Sequence, residues 1–311
     1  MVKNFFTQGE ANHINNMNKE AQNVRLGDAV KTALVGNIGW KDGERLYVDS
    51  LIGIDTEANG QGQSLDKPFK TIQYALNVAR YVPGTTNIAT AKNRRRYVFV
   101  APGVYNEQIL FSGYNISLIG LMYKLGNVDY GVVINKDGAV ASTGVLGFTG
   151  AGIEIANLQI HVEEAIPAII VPTPGDGCWI HDCVLDGDGV NATYGIQIPD
   201  CRHTIIESNK IIDFQTAGIS VGGSGTWFRQ SAIIGNHVMG DSGIGISVET
   251  GTICTAVQGS VIAHNYIVGA CTVGIHQKEA GAYVLIADNW IQATTPVTDA
   301  GTGAADNHNA S

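Results

Sequence analysis

The chain has 311 residues, of which 15% are charged; it carries 39 glycines, only 8 prolines and a formal net charge of -9. That charged fraction is well below the roughly 25% usual for soluble domains, so a helix-rich protein is disfavoured. The acidic balance also argues against nucleic acid as a partner, because binding it needs a basic face to release counterions.

No run of about 18 apolar residues is present to cross a bilayer as a helix, so no membrane partner is expected. Five cysteines (Cys178, Cys183, Cys201, Cys254, Cys271) form no CxxC pair, which excludes a disulfide scaffold and a cysteine zinc site. Free thiols suit assembly in a reducing cytoplasm. Met1 to Asn18 shows no basic-then-apolar leader.

Residues 1–45 are polar and Asn-rich. Val24, Ala29, Val30 and Leu34 are spaced as on an amphipathic helix over Ala21 to Leu34, which Gly36 and Gly39 stop. This stretch is too short for a core of its own, so it is expected to be an anchor or oligomerisation segment. Leu46 to Asp49 reads as a strand. Asp66 as N-cap and Pro68 in the first turn open a helix over 67–82, with its body at Lys70 to Tyr81 and Ile72, Ala75, Leu76 and Ala79 on one face. The basic run Arg94-Arg95-Arg96 reads as a solvated loop. Strands follow at Tyr97 to Val100, Ile109 to Phe111, Ile116 to Ile119 and Val132 to Ile134.

From residue 151 the chain repeats. Six segments align on one polar residue: Asn157, Asp182, Asn209, Asn236, Asn265 and Asn289, at intervals of 24 to 29 residues. A second series places Gly195, Gly218, Gly245 and Gly274 each before an isoleucine. A coil of that length holds three short strands and their bends, and stacked coils lie about 4.8 Å apart. The chain is therefore expected to be all-β, a parallel β-helix of three-strand coils over 46–292.

Ile206, Ile233, Ile262 and Ile286 line the interior in this alignment, with Val184, Ile211, Val238, Ile267 and Ile291. Cys183, Lys210, His237, Tyr266 and Trp290 face out. Asparagine tolerates the left-handed bend, and its amide can bond up and down a stack, so the six aligned residues form a ladder. The leucine pattern of a horseshoe repeat is missing, and no helical period follows residue 150, which excludes a TIM barrel. Residues 293–311 are low in apolar content and read as an extended or flexible tail.

The stretch Gly60-Gln-Gly-Gln-Ser-Leu-Asp-Lys-Pro-Phe-Lys-Thr-Ile-Gln-Tyr-Ala75, followed by Tyr97-Val-Phe-Val-Ala-Pro-Gly-Val-Tyr105, resembles the start of pectin-lyase-like right-handed β-helix proteins. The resemblance implies that the helix at 67–82 caps the tube. It implies either of two functions, since the fold hosts many. One is a non-enzymatic structural protein of a bacteriophage virion, a capsid decoration or tailspike. It would be a homotrimer located in the virion, joined to shell or tail proteins through the N-terminal segment. The other is a polysaccharide lyase or glycoside hydrolase acting on an acidic host glycan.

For the enzyme reading, Trp179-Ile180-His181-Asp182-Cys183 resembles a pectate-lyase signature with Asp and His exchanged. His181 and Asp182 are then the catalytic candidates, with Arg202 and Arg229 as basic partners. Asp176, Asp182, Asp186, Asp188 and Asp200 would supply the oxygens a lyase calcium needs. The competing reading takes Asp182 as a ladder member, His181 as sharing a permissive column with Ser208, Gly235, His264 and Asp288, and Asp186-Gly-Asp188-Gly as an ordinary turn. On that reading there is no catalytic residue, metal or cofactor. Outward Tyr266 and Trp290 suit a sugar-stacking face or a subunit contact.

Overall fold

The computed structural model describes residues 45–80, 95–121, 123–125, 128–135, 144–172, 175–188, 191–240, 243–252, 259–278, 283–299 and 305–309. The expected anchor (but for Arg45), the helix at Ala21 to Leu34, Arg94 and Cys254 lie outside them.

The described chain is an all-β parallel solenoid with three rows of strands. Row one runs from Arg45–Val48 through Arg96–Val100, Ile116–Gly120, Glu154–Ala156, Trp179–His181, Ile205–Glu207, Ala232–Ile234 and Ser260–Ala263 to the first half of Val284–Ile291. Row two stacks Gly103–Tyr105, Val132–Asn135, Leu158–Val162, Val184–Gly187, Lys210–Ile212, His237–Gly240 and Tyr266–Gly269. Row three runs from Ile109–Tyr114 and Leu146–Ala151 through Tyr194–Ile198, Ala217–Val221 and Ile244–Val248 to Val273–Gln277 and Thr295–Asp299. One antiparallel hairpin, Tyr123–Leu125 with Val128–Tyr130, interrupts the first half.

Alternation in each short strand sends every second residue into the tube. The row-one column Val98, Leu118, Ile155, Ile180, Ile206, Ile233, Ile262 and Ile286 is fully buried. Burying one such side chain contributes about 1.5–3 kcal/mol, and the column repeats that gain coil after coil.

The bends follow a two-residue rule. Between rows one and two, a residue with positive φ (Asn157, Asp182, Ser208, Gly235, His264, Asp288) turns the chain. The residue after it then points inward. Its backbone N–H leaves the strand pattern, and a side-chain oxygen of the next coil accepts it. Asn209 N–H donates to Asn236 Oδ1 at 3.1 Å, Asn236 N–H to Asn265 Oδ1 at 3.0 Å and Asn265 N–H to Asn289 Oδ1 at 3.0 Å. Each amide nitrogen also donates to the next Oδ1, at 3.0, 3.0 and 2.9 Å. It donates as well to an isoleucine carbonyl in the coil before.

This corrects the sequence alignment by one residue in two coils. Strand register pairs Gln159 with Val184 and Val184 with Lys210. The ladder position in those coils is therefore Leu158 and Cys183, both buried, while Asn157 and Asp182 sit in the left-handed column. Cys183 faces in rather than out, its N–H donating to Asn209 Oδ1 at 3.0 Å, and Val184 takes the outward place. The ladder is four asparagines, closed above by a thiol-bearing residue. His181 aligns with Glu207, Ile234 and Ala263, not with Ser208.

A second ladder, absent from the sequence reading, serves the bend between rows three and one. There Thr204 N–H donates to Ser231 Oγ at 3.0 Å and Ser231 N–H to Ser260 Oγ at 3.2 Å. Cys178, Cys183, Cys201 and Cys271 are all buried and none of the four is in a disulfide. Burial pushes the thiols of Cys178 to about 11 and of Cys183 and Cys201 to about 12. A disulfide-exchange reagent at pH 8 should leave these cysteines unmodified in the native protein and titrate them after unfolding in guanidinium. Fast native modification of Cys183 would contradict its placement.

Helix α1 (Ile72–Arg80) buries Ile72, Ala75, Leu76 and Ala79. Its N-cap is Thr71, whose Oγ1 accepts from Tyr74 N–H at 3.2 Å, rather than Asp66. Two further orphan N–H groups, of Ile72 and Gln73, donate to the Glu107 carboxylate at 2.8 and 2.9 Å. Parallel pairing continues past residue 292: Thr295–Asp299 extends row three and Ala305–Asn309 pairs along Ile286 to Ile291. The expected solenoid boundary therefore falls two strands short, because main-chain pairing needs little apolar content.

Candidate functional site

The outer face of row one carries one polar island. Ser117, Glu154 and Trp179 occupy one outward column, and Ala156, His181 and Glu207 the next. Glu154 is the hub. Its Oε2 accepts from Ser117 Oγ at 2.6 Å and from Arg95 Nη1 at 2.8 Å, while Oε1 lies 3.4 Å from His181 Nε2. His181 Nδ1 lies 2.7 Å from Asp182 Oδ2. The Trp179 ring stacks on the His181 ring with centroids 4.0 Å apart, and its indole N–H donates to Glu207 at 2.8 Å. The side chains of Glu154 and His181 are each only 13% exposed, against 54% for Asp182. The basic run is thus not simply solvated: Arg95 neutralises Glu154, and Arg96 donates to the Ala79 carbonyl of α1.

Burial works against charge on Glu154, but the His181 and Ser117 hydrogen bonds and the Arg95 charge outweigh it, so the carboxyl titrates below its ordinary range. Burial likewise opposes charge on His181, but hydrogen bonds to Glu154 and Asp182, and their charges, outweigh it and raise the imidazole. The two carboxylates thus favour the charged form of the His181 imidazole that lies between them.

The sign of its pH effect follows. Glu154's share of stability is present above 4.5 and lost as pH falls through the lower folded value. His181's share is present below 6.5 and lost as pH rises through the higher folded value. Replacing His181 by Gln should therefore cost most stability between pH 4.5 and 6.5, with the gap to the native protein narrowing toward pH 9. A pH-independent gap would remove charge from the pair.

Arg202 and Arg229 lie elsewhere, in neighbouring register beside Asp176 on the row-three side of the Thr204 bend. Arg202 is held bidentately by Asp200 at 2.9 and 2.7 Å, and the Arg229 guanidinium lies 4.6 Å over the Trp227 ring. His203 bridges Asp176 and Gln230 at 2.8 and 2.7 Å. The four catalytic candidates therefore fall into two groups, one on each side of the bend.

The five aspartates do not converge. Asp176 meets His203, Asp182 meets His181, Asp186 lies 3.5 Å from His161, and Asp200 meets Arg202. Asp188 accepts from the N–H groups of Asn191 and Ala192, whereas Asp186 and Gly187, expected in a turn, end the strand Val184–Gly187. Among the described residues no cluster of three or more His, Cys, Asp or Glu suits a metal ion. Replacing Asp182 by Asn should leave stability within about 0.5 kcal/mol, because the side chain is exposed and Asn suits the left-handed bend. A cooperative loss of fold in thermal melts would contradict this.

Glu154, Ser117 and Glu207 are absent from the sequence reading, and Arg95 enters it only as part of a solvated loop. Their signal was register: with Trp179 fixed outward, the residues one coil before and after it must share its face.

Fold and geometry together define the class as a parallel β-helix. Residues 168–310 match a family described as right handed beta helix region. A pectin methylesterase from Aspergillus niger aligns over 87% of each chain at 13% identity with a TM-score of 0.42. A GH136 lacto-N-biosidase from Eubacterium ramulus aligns over 85% of this chain and 67% of its own at 12% identity and a TM-score of 0.28. The A-module of the mannuronan C-5 epimerase AlgE6 from Azotobacter vinelandii aligns over 75% and 94% at 11% identity and a TM-score of 0.23. No curated protein matches the chain.

Proposed function

We propose that this chain is a structural component of a bacteriophage particle, a β-helical surface subunit that works as part of a homo-oligomer. The observation that carries the proposal is the outer surface of rows one and two. Ile205, Leu285, Tyr266 and Trp290 are each 40–47% exposed on parallel strands. Parallel sheets are ordinarily covered on both faces, so such flanks call for a partner. In this reading α1 caps the N-terminal mouth of the tube, and the segment before residue 45 attaches to shell or tail. The test is mass spectrometry of purified particles from a host carrying the gene. The protein should be present at fixed stoichiometry with shell or tail proteins and should leave a panel of acidic polysaccharides uncut; absence from the particles defeats the reading.

A second reading rests on the Glu154–His181–Asp182 chain beside Trp179: an enzyme acting on a surface polysaccharide. A lyase would release unsaturated product absorbing at about 235 nm, and His181→Gln would abolish that signal without unfolding the chain. Absorbance that stays flat on every acidic polysaccharide tested defeats this alternative.

A further inference from the structure

We propose that residues 25–41 fold back on their own chain and seat their apolar side chains on the exposed turn at 49–54, beside the first strand of row two. The proposal goes beyond both functional readings, holds under either, and leaves residues 1–24 for the attachment suggested above.

The turn is apolar, exposed and firmly held. Leu51 is 86%, Ile52 39% and Ile54 59% exposed. Asp49 Oδ1 accepts from the N–H groups of Leu51 at 2.9 Å and Ile52 at 3.4 Å, and the Asp49 carbonyl accepts from Gly53 N–H at 2.8 Å. Ile54 N–H donates to the Pro68 carbonyl at 3.1 Å. A Cβ on Gly53 would lie 2.2 Å from the Phe69 carbonyl oxygen, so the backbone is pressed onto its neighbour there.

The patch extends to both sides of the turn. Ser50 Oγ lies 3.0 Å from where a Cβ on Gly103 would stand, so the turn abuts Gly103–Tyr105, whose outward Val104 is 59% exposed. On the other side, Tyr47 of Arg45–Val48 points outward and stacks on Phe99 with centroids 5.7 Å apart. Apolar surface that the fold holds in water over such a stretch marks a contact site.

Three observations select this occupant. The chain before residue 45 lies outside the described residues, and only the strand Arg45–Val48 separates its end from the turn. That chain carries Leu26, Val30, Leu34, Ile38 and Trp40, too few for a core of their own, and the turn dipeptide Asp42-Gly43 stands where the path must reverse to bring them back. The charges are complementary: residues 49–57 hold Asp49, Asp55 and Glu57 with no basic residue, whereas residues 25–41 hold Arg25, Lys31 and Lys41 against Asp28. Being tethered, the segment meets the turn at an effective concentration on the order of millimolar, which a separate partner would have to exceed.

Limited trypsin digestion of the full chain, read by intact mass, tests this, because cleavage after Arg25, Lys31 and Lys41 needs the segment released. Wild type should be cut there slowly. Leu51→Asp and Ile54→Asp each put a charge on the turn and should speed cleavage at Lys31 at least about tenfold. Both side chains are exposed, so circular dichroism and melting should stay those of the wild type. Trp40→Asp should act the same way at Lys31, and combined with Leu51→Asp it should accelerate less than the product of the two. Leu285→Asp, on the last long strand of row one, is the control and should change nothing.

Fast cleavage at Lys31 in both wild type and Leu51→Asp overturns the proposal and leaves the turn to a separate shell or tail protein. Equally slow cleavage in both overturns it too, because the segment is then held elsewhere. Protection that fades on dilution means that a second copy supplies the segment, which overturns docking within one chain. Protection lost with Leu285→Asp overturns the choice of surface.

Discussion

Asn236→Ala should lower the stability of the solenoid by about 4 kcal/mol, a large share of the roughly 5–15 kcal/mol typical of a folded domain. The Asn236 side chain sits in the middle of the ladder, with the residue 1% exposed. Its Oδ1 accepts from both the N–H and the amide of Asn209, and its amide donates to Asn265 Oδ1 and to the Ile206 and Ile234 carbonyls. Alanine fills the site but accepts nothing. Two donors of Asn209 and one oxygen of Asn265 are then left short of partners where water cannot reach them. Each buried orphan costs about 1–3 kcal/mol. Urea unfolding followed by tryptophan fluorescence measures the loss. A change below about 1 kcal/mol would mean the ladder is decoration rather than structure.

Gly245→Ala should cost about 2–3 kcal/mol or prevent folding, through crowding rather than lost bonds. A Cβ built there lies 2.5 Å from the Gly274 carbonyl oxygen and 2.6 Å from Ile267 Cγ2. Gly195, Gly218 and Gly274 meet row-two side chains the same way, at 2.5 Å from Ile211, 2.5 Å from Val238 and 2.2 Å from Ile291. The tube is flat at this column, and the backbone of row three nearly touches the apolar residues of row two. Trimming Ile267 to alanine removes only one of the two collisions, so the double variant should stay below Ile267→Ala alone in a thermal melt. Gly131→Ala is the control, since its nearest neighbour, Gln159 Nε2, is at an ordinary 3.5 Å. Equal melting temperatures for the Gly245 and Gly131 variants would refute the close approach.

Much of the architecture was legible because a solenoid writes its geometry along the chain. A coil of fixed length brings equivalent residues into one file, so a period in residues becomes a column in space. Ile206, Ile233, Ile262 and Ile286 could be placed inside from spacing alone, as could the asparagines from 209 to 289 and the four glycines before isoleucine. The asparagine rule failed at Asn157 and Asp182, since a polar residue next to the bend is favoured for two different reasons. One residue must tolerate positive φ, and the next must accept a buried N–H. Sequence spacing does not separate neighbours one apart; strand register does, and it gave the ladder place to Cys183.

The candidate site was less visible for a related reason. His181 and Asp182 drew attention as a local motif, but Glu154, the hub that holds them, comes from the coil before, and Arg95 and Ser117 come from further upstream. By itself the sequence determined the period, the inward files and the rarity of helix, because these depend on contacts between identical steps of one repeating path. Only the tertiary structure decided which carboxylate meets which histidine and that Arg202 and Arg229 stand apart from His181. It also decided that the outward faces of rows one and two form a continuous apolar corner. Those are contacts sideways across the stack, fixed by one-residue register and bend geometry that no linear spacing encodes.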